Sequence, residues 1–188
     1  MTSSFADLPE APRWRGVNHL ALVTPDMDAT VRFYAGVLGM RVVATTMAGP
    51  MRHYFFEIDQ QNTVAFFEIK GIETFDKGAG SPPPLDIPIQ MDHLSFNLPD
   101  EDALEQLRKR LIAAGSEVTE VVDHGFIRSV YFTDPNGIAL EASYWVLDGT
   151  GREADPNDRA LFDDPDPVPA LRELHGDGLT TLPITHLV

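Results

Sequence analysis

The sequence predicts an α+β fold made of two βαβββ modules that follow each other along the chain. Three observations lead to this prediction: an internal repeat, a helical pattern of apolar residues after each copy, and short apolar strands behind each helix. Hydrophobic residues make up 43% of the 188 residues, which is ordinary for a globular protein. The repeat is therefore the feature from which the domain organisation is worked out.

Each copy of the repeat begins with a histidine on an apolar strand. Residues 17–22 (VNHLAL) resemble residues 91–96 (MDHLSF), and both stretches run into apolar residues at three-to-four spacing. That spacing is typical of an amphipathic helix. Asp28 and Asp100 are predicted to cap the N-termini of the two helices, because aspartate side chains accept hydrogen bonds from free N–H groups.

Behind each helix the two halves continue to correspond. A valine-containing strand is predicted over 40–45 in the first half and over 116–122 in the second. Each half then closes with a short strand that carries a central glutamate, Glu68 in TVAFFEI and Glu141 in NGIALEA. Strand, helix and about three further strands give one βαβββ module in each half.

The predicted divisions of the chain follow from this repeat and from composition. They are an N-terminal extension (1–15), the first module (16–70), a linker rich in proline and glycine (71–89), the second module (90–147) and an acidic, proline-rich tail (148–188). The tail is expected to contain at most a short helix near 170–174.

Composition excludes several classes of function. The formal net charge of −15 opposes binding to nucleic acid or to an anionic membrane, because both attract cationic surfaces. No apolar run approaches the roughly 18 residues that span a bilayer. The first ten residues lack a basic segment, so a cytoplasmic location is expected. With no cysteine, a metal would be held by His, Asp or Glu.

Matching titratable residues in the two halves indicate a metal site. His19 and His93 occupy the same place in the repeat, and Glu68 and Glu141 each follow an apolar pair. A carboxylate on an apolar strand face is costly unless it is paired or ligating. If a pseudo-twofold axis relates the halves, these groups converge on one point, and such a nitrogen and oxygen set suits Fe(II), Mn, Co, Ni or Zn. For Glu68, a glutamate that points to solvent is the other interpretation.

One stretch of the second half resembles a known superfamily. Residues 124–141 contain Tyr-Phe-x-Asp-Pro-x-Gly, followed four residues later by Glu141. This pattern is similar to the signature of the vicinal oxygen chelate superfamily, which includes glyoxalase I, bleomycin-resistance proteins and extradiol dioxygenases. The resemblance covers about residues 16–146. It implies paired modules that form a cupped, partly open mixed β-sheet barrel around one divalent metal, with His19, His93 and Glu141 as ligands.

The branches of this superfamily differ in their ligands and catalytic residues. Extradiol dioxygenases use two histidines and a glutamate on Fe(II), and they carry a tyrosine ten residues before that glutamate, which is Tyr131 here. They also have an upstream His-Gly pair, matched by His124-Gly125. The resemblance therefore implies a ring-cleavage dioxygenase with Tyr131 and His124 as catalytic residues. Its substrate would be a catechol-like small molecule with vicinal oxygens.

Two alternatives stay open at this point. Glyoxalase I and the related epimerases carry a fourth ligand where Glu68 lies, which implies a lyase or isomerase. A small-molecule binding or resistance protein is the non-enzyme alternative. Members with one pair of modules often resemble dimers, so a homodimer is among the expected assemblies.

Overall fold

The computed structural model describes residues 16–74, 80, 91–176 and 178–179. These residues belong to two compact units. One contains both modules and ends at Asp148, and the other includes the described residues from Gly149 onward. No helix within the described ranges is long and apolar enough to cross a membrane.

The first module forms one four-stranded sheet with a helix. Its elements are β1 (His19–Thr24), α1 (Met27–Val31), a π-helical segment (Arg32–Val37), β2 (Arg41–Ala48), β3 (Met51–Asp59) and β4 (Asn62–Glu68). The strand order is β1-β4-β3-β2, with β1 parallel to β4 and the other pairs antiparallel.

The second module repeats this arrangement. Its elements are β5 (Leu94–Asn97), α2 (Glu101–Ala113), β6 (Val122–Asp123), β7 (Ile127–Thr133) and β8 (Ala139–Trp145). The strand order is β5-β8-β7-β6, with β5 parallel to β8. Two mixed, open sheets in two matching modules confirm the predicted α+β class.

The predicted helix caps are correct in one module and wrong in the other. Asp100 caps α2, and its carboxylate accepts the Ala103 N–H at 2.9 Å. In the first module Asp26, not Asp28, caps α1 and accepts the Ala29 N–H at 3.0 Å. Asp26 has the extended backbone that a capping residue needs, whereas Asp28 already lies in the first helical turn.

The strand predicted over 116–122 is mostly irregular. It makes one bridge, from Val118 to Phe132, and only Val122 belongs to a named strand. Thr119 explains the interruption. The Thr119 carbonyl accepts a hydrogen bond from Arg108 Nε. The Thr119 hydroxyl accepts a hydrogen bond from the Tyr131 N–H, which would bond to a backbone carbonyl in a regular strand pair.

The two modules share one hydrophobic core on the helix side of their sheets. Tyr34 in the π-helical segment packs against Phe56 and Phe66, with ring centroids 5.3 and 4.9 Å apart. Phe33 beside it reaches Phe132 of the second module at 6.4 Å. All five rings are buried and belong to one continuous cluster.

A buried polar junction joins the modules next to this core. It consists of Thr24 and Tyr34 of the first module and Asp134 and Asn136 of the turn between β7 and β8. The Thr24 hydroxyl donates to Asn136 Oδ1 at 2.7 Å, and the Tyr34 hydroxyl donates to Asp134 at 3.3 Å. Burial raises the pKa of Tyr34 well above its ordinary value, so the phenol stays protonated as a donor.

The first strand of each module lies at one edge of its sheet. β1 pairs only with β4, and β5 pairs only with β8, so each keeps an unpaired side within the described part of the chain. The second compact unit contains α3 (Pro169–His175), which lies where a short helix of the tail was predicted.

Candidate metal centre

Apart from Glu68, the predicted site residues lie on or beside the sheet faces that the helices leave uncovered. Along β1, β3 and β4, even-numbered side chains such as Phe56 and Phe66 face the shared core. Successive strand residues point to opposite faces, so odd-numbered residues such as His19 occupy the other face. We call this surface the open face of the first sheet. The second sheet alternates in the same way, and we call its surface away from the shared core the open face of the second sheet.

The open face of the second sheet brings together two predicted ligands. His93 immediately precedes β5, and Glu141 lies on β8 opposite Ser95. His93 Nε2 is 2.9 Å from Glu141 Oε2, so both side chains point at the same place. Glu141 is only 6% exposed, whereas the His93 side chain is 33% exposed. A group bound by both therefore has access to solvent or substrate.

Glu141 is held in its ionised form. Burial alone would raise its pKa, but the hydroxyls of Ser129, Ser95 and Tyr131, together with His93, lower that pKa below the ordinary glutamate value. The Ser95 hydroxyl is also hydrogen-bonded to that of Ser143 at 2.9 Å. A charged carboxylate in a mostly buried setting is the form in which glutamate binds metals.

The two repeat histidines are oriented in the same way. Asp92 Oδ2 lies 2.6 Å from His93 Nδ1, and Asn18 Oδ1 lies 2.7 Å from His19 Nδ1. In each module the residue before the histidine fixes the imidazole ring through Nδ1. Nε2 is then the nitrogen that would bind a metal, since histidine ligands commonly form a hydrogen bond through their second nitrogen.

Both predicted catalytic residues lie beside His93 and Glu141. Tyr131 pairs with Glu141 across β7 and β8, and its ring meets His93 edge-on at 6.0 Å between centroids. Its hydroxyl is 2.8 Å from His124 Nε2. Burial and the nearby Glu141 raise the pKa of Tyr131, so the phenol is protonated at neutral pH. The structure thus joins a phenol and an imidazole next to two predicted metal ligands.

The open face of the first sheet is aromatic. His19 lies edge-on to Phe55, with ring centroids 5.6 Å apart, and 6.4 Å from His53. The His53 ring stacks on Phe67 at 3.7 Å with 12° between the planes. His53 was not among the predicted site residues. The signal that marks it is its place on a strand with Phe55, two residues along, on the same face as His19.

The prediction that all four ligands converge within one chain is wrong for the described residues. Among them, no group of three or more His, Asp or Glu side chains lies close enough to hold a metal ion. His93 and Glu141 meet, while His19 contacts His53 and Phe55 on a separate sheet. The physical reason is the shared core, because each open face lies on the side of its sheet away from that core.

The predicted match between Glu68 and Glu141 is also wrong in register. Ser95, two residues after His93, pairs with Glu141, and Ala21, two residues after His19, pairs with Ala65. Ala65 therefore holds the place that corresponds to Glu141.

Glu68 lies three residues further along β4, on the opposite face. There it accepts the Met27 N–H at 3.2 Å and forms an ion pair with Arg52. Burial would raise the pKa of Glu68, but the Met27 N–H, Arg52 and Lys70 lower it below the ordinary value. The partners of Glu68 are thus a helix N-terminus and an arginine.

The remaining predicted ligands, His19, His93 and Glu141, are of residue types that bind a divalent metal. His93 and Glu141 supply one nitrogen and one oxygen from the second sheet, and His19 presents a fixed imidazole on the first. Two imidazoles and a carboxylate suit Fe(II), Mn, Co, Ni or Zn, and this set leaves coordination positions open.

Comparisons with known proteins identify the family of the chain. Residues 16–142 match the family model of the Glyoxalase/Bleomycin resistance protein/Dioxygenase superfamily. An uncharacterised protein of Pseudomonas aeruginosa is 32% identical over 143 residues, which are 74% of this chain and 96% of that protein. A Bacillus subtilis protein provisionally named as the ring-cleaving dioxygenase MhqA is 25% identical over 80% of this chain and 45% of its own length.

Solved structures show the same fold. The crystal structure of a glyoxylase/bleomycin resistance protein/dioxygenase domain from Frankia has a TM-score of 0.59 and 24% sequence identity. The match covers 71% of this chain and 99% of that domain.

Proposed function

Because this chain belongs to the Glyoxalase/Bleomycin resistance protein/Dioxygenase superfamily, we propose that it is a divalent-metal-dependent enzyme that cleaves the ring of a catechol-like substrate. Members of the superfamily use divalent metals and act on small molecules. Fe(II) is the metal we propose, with Ni, Zn, Co and Mn as the alternatives. The choice of Fe(II) and of ring cleavage is our proposal, and it is argued from the residues of this chain.

The observation that carries the proposal is the contact between His124 and Tyr131 beside His93 and Glu141. The His124 Nε2 atom lies 2.8 Å from the Tyr131 hydroxyl, and the Tyr131 ring touches His93 edge-on. Ring cleavage needs a protonated donor at one substrate oxygen and a base for the substrate hydroxyl. A tyrosine with a raised pKa and an imidazole bonded to it supply these two functions.

The ligand set also favours a dioxygenase over a lyase or isomerase of the glyoxalase I kind. That alternative relies on a second carboxylate in the first module. Ala65 holds the corresponding place, and Glu68 is engaged by Met27 and Arg52 on the other face of the sheet. Three ligands, His19, His93 and Glu141, then remain, which is the two-histidine and one-carboxylate set of non-haem Fe(II) oxygenases.

We propose further that the three ligands come together between two copies of the chain. His19 lies on β1 and His93 immediately precedes β5, and among the described residues each of these strands has one side without a strand partner. Unpaired strand edges favour association with another chain. In a twofold dimer, the first open face of one copy meets the second open face of the other, which forms two equivalent sites.

The chain's own residues then divide the work around the substrate. A bound divalent metal would polarise the two vicinal oxygens of the substrate and lower the pKa of its hydroxyl groups. The Tyr131 hydroxyl donates its hydrogen bond to one substrate oxygen, so in the bond between His124 and Tyr131 the Nε2–H of His124 is the donor and the phenol oxygen accepts. Nδ1 of His124 is then the atom that accepts the proton from the other substrate hydroxyl, and the bond to Tyr131 holds the imidazole ring in position. The aromatic open face around Phe55 covers the planar ring and excludes water.

The experiment that tests the proposal is identification of the metal with a measurement of oxygen uptake. We expect protein purified without oxygen to contain iron, and to consume one O2 per catechol with no added reductant. Both oxygen atoms of O2 should enter the ring-opened product. Bound nickel or zinc, together with loss of that metal in Glu68→Ala, would instead favour a lyase or isomerase. Metal-free protein that still binds catechol under metal-replete conditions would favour a binding protein.

A further inference from the structure

His53 is a polar group on an otherwise apolar surface. Its ring stacks on Phe67 and lies 4.3 Å from Phe55, with 50° between those two planes. Both phenylalanines share its face of the first sheet, and His19 completes the group. Two aromatic neighbours therefore fix the ring of His53. It lies close to His19, which we propose as a metal ligand.

The Nε2 atom of His53 has no hydrogen-bond partner among the described residues, although it is shielded from solvent. A buried polar atom in this state is unfavourable, and in native proteins such atoms are rare. An imidazole nitrogen can serve as one donor or as one acceptor, so Nε2 offers one hydrogen-bonding position.

Other parts of the site do not use this atom. The acid and base functions assigned above belong to Tyr131 and His124 on the second sheet. The two phenylalanines offer flat apolar surface without a hydrogen-bonding group. Within the described open face of the first sheet, Nε2 of His53 is a hydrogen-bonding position that the folded chain leaves unused.

We propose that His53 binds the substrate through Nε2 and so determines which aromatic molecules the site accepts. The inference rests on the proposed function. The substrate class is a planar aromatic ring that lies against Phe55 and carries an oxygen-bearing substituent besides the two vicinal oxygens. The hydrogen bond from or to that substituent satisfies Nε2, and the stack on Phe67 holds the imidazole in the orientation that the bond requires.

The test compares four proteins loaded with Fe(II) without oxygen: wild type, His53→Phe, His53→Gln and Tyr54→Phe. His53→Phe keeps the aromatic stack and removes the nitrogen, whereas His53→Gln keeps a polar group near the Nε2 position. Tyr54→Phe is the matched control, because it removes a hydroxyl from the opposite face of the same strand. The probe is 4-nitrocatechol, whose binding is followed by its visible absorption. Iron content and thermal unfolding of the metal-free proteins are measured alongside.

We expect His53→Phe to weaken probe binding about tenfold or more, the factor that corresponds to about 1.4 kcal/mol. Its iron content should equal that of wild type, and its metal-free form should unfold at a higher temperature, because an unpaired buried nitrogen has been removed. His53→Gln should recover much of the affinity, and Tyr54→Phe should bind like wild type. In turnover, His53→Phe should raise KM for 4-nitrocatechol more than it lowers kcat.

Three outcomes would contradict these expectations in different ways. Unchanged affinity in His53→Phe would refute the substrate contact while leaving the proposed function intact. Loss of iron or a lower unfolding temperature in His53→Phe would assign His53 a ligand or structural role instead. Iron-loaded wild type that binds no 4-nitrocatechol would contradict the proposed function itself, and the inference about His53 with it.

Discussion

Mixed dimers of two inactive variants test whether the metal site is shared between copies. The variants are His19→Ala and Glu141→Ala. They remove predicted ligands from the open faces of two different sheets. Each variant alone lacks one ligand in every site, so neither should retain metal or activity. The two chains carry different affinity tags, are produced together, and are purified by both tags so that only mixed dimers remain.

The expected recovery follows from the geometry of the two faces. In a mixed dimer, one site combines both altered residues, and the other combines an intact His19 with an intact Glu141 and His93. Mixed dimers should therefore regain about half of the metal content and about half of the activity of wild type. Elemental analysis gives the first quantity, and oxygen uptake with catechol gives the second.

A matched pair of variants makes the result decisive. His93 and Glu141 lie on the same open face, 2.9 Å apart, so mixed dimers of His93→Ala and Glu141→Ala carry a lesion in both sites. These should stay empty and inactive. If the His19 and Glu141 mixture also stays empty, the three residues do not form a site between copies, and the reasoning from the separated faces is refuted.

Three further predictions concern the residues around the site and the junction. Glu68→Gln should leave the metal content unchanged, and its loss of stability at neutral pH should disappear on acidification. The pKa of Glu68 is lowered in the folded state, so its contribution to stability exists above the ordinary glutamate pKa and is lost as pH falls through the folded pKa. Asn136→Ala should lower the free energy of unfolding by about 2–4 kcal/mol in a urea titration, because Thr24 and Asp134 lose buried hydrogen bonds. Tyr131→Phe should keep the metal and lower kcat by about 10²–10⁴, as expected for loss of a positioned proton donor.

The predictions for Asn136 and Tyr131 each have a control within the chain. Asn157→Ala removes an exposed amide that bonds Asp155, and it should change stability by less than about 0.5 kcal/mol. Tyr144→Phe alters the core-facing side of β8 and should leave kcat near that of wild type. Loss of metal in either Glu68→Gln or Tyr131→Phe would contradict the proposal that His19, His93 and Glu141 are the ligands.

The sequence was sufficient for the modules but not for the geometry between them. Repeated motifs identify βαβββ units because local patterns of apolar residues determine helices and strands. They carry no information on whether two open faces belong to one site in the same chain. That depends on the core, where Phe33 of the first module packs on Phe132 of the second.

Register was the second property that the pattern left undetermined. Glu68 and Glu141 both follow an apolar pair, so their letters align well, although Ala65 is the residue that corresponds to Glu141 in the sheets. A shift of three residues along a strand moves a side chain to the opposite face. The expected correspondence between Glu68 and Glu141 fails because of that parity.

His53 was missed for a different reason. Its importance comes from an unpaired atom and a stacked ring, which depend on the packing of β3 against β4. Tyr131 and His124 were predicted because their spacing to Glu141 is local to one hairpin and its preceding loop. The proximity of Tyr131 and His124 to Glu141 could therefore be predicted, because these contacts are near in sequence. The positions of Glu68 and His53 could not, because they depend on sheet register and on packing between strands.

The buried junction has a consequence for how activity responds to dilution. The hydrogen bond from Thr24 to Asn136 connects the end of β1 to the turn before β8. The two modules of one chain are therefore hydrogen-bonded to each other and also pack around one core. In this arrangement the two open faces of one chain do not meet, because both lie away from the shared core. If the site forms in the proposed dimer, turnover per chain should decline as the protein is diluted below the dissociation constant of that dimer, and excess metal should not restore it. Protein concentration would itself act as a control on catalysis.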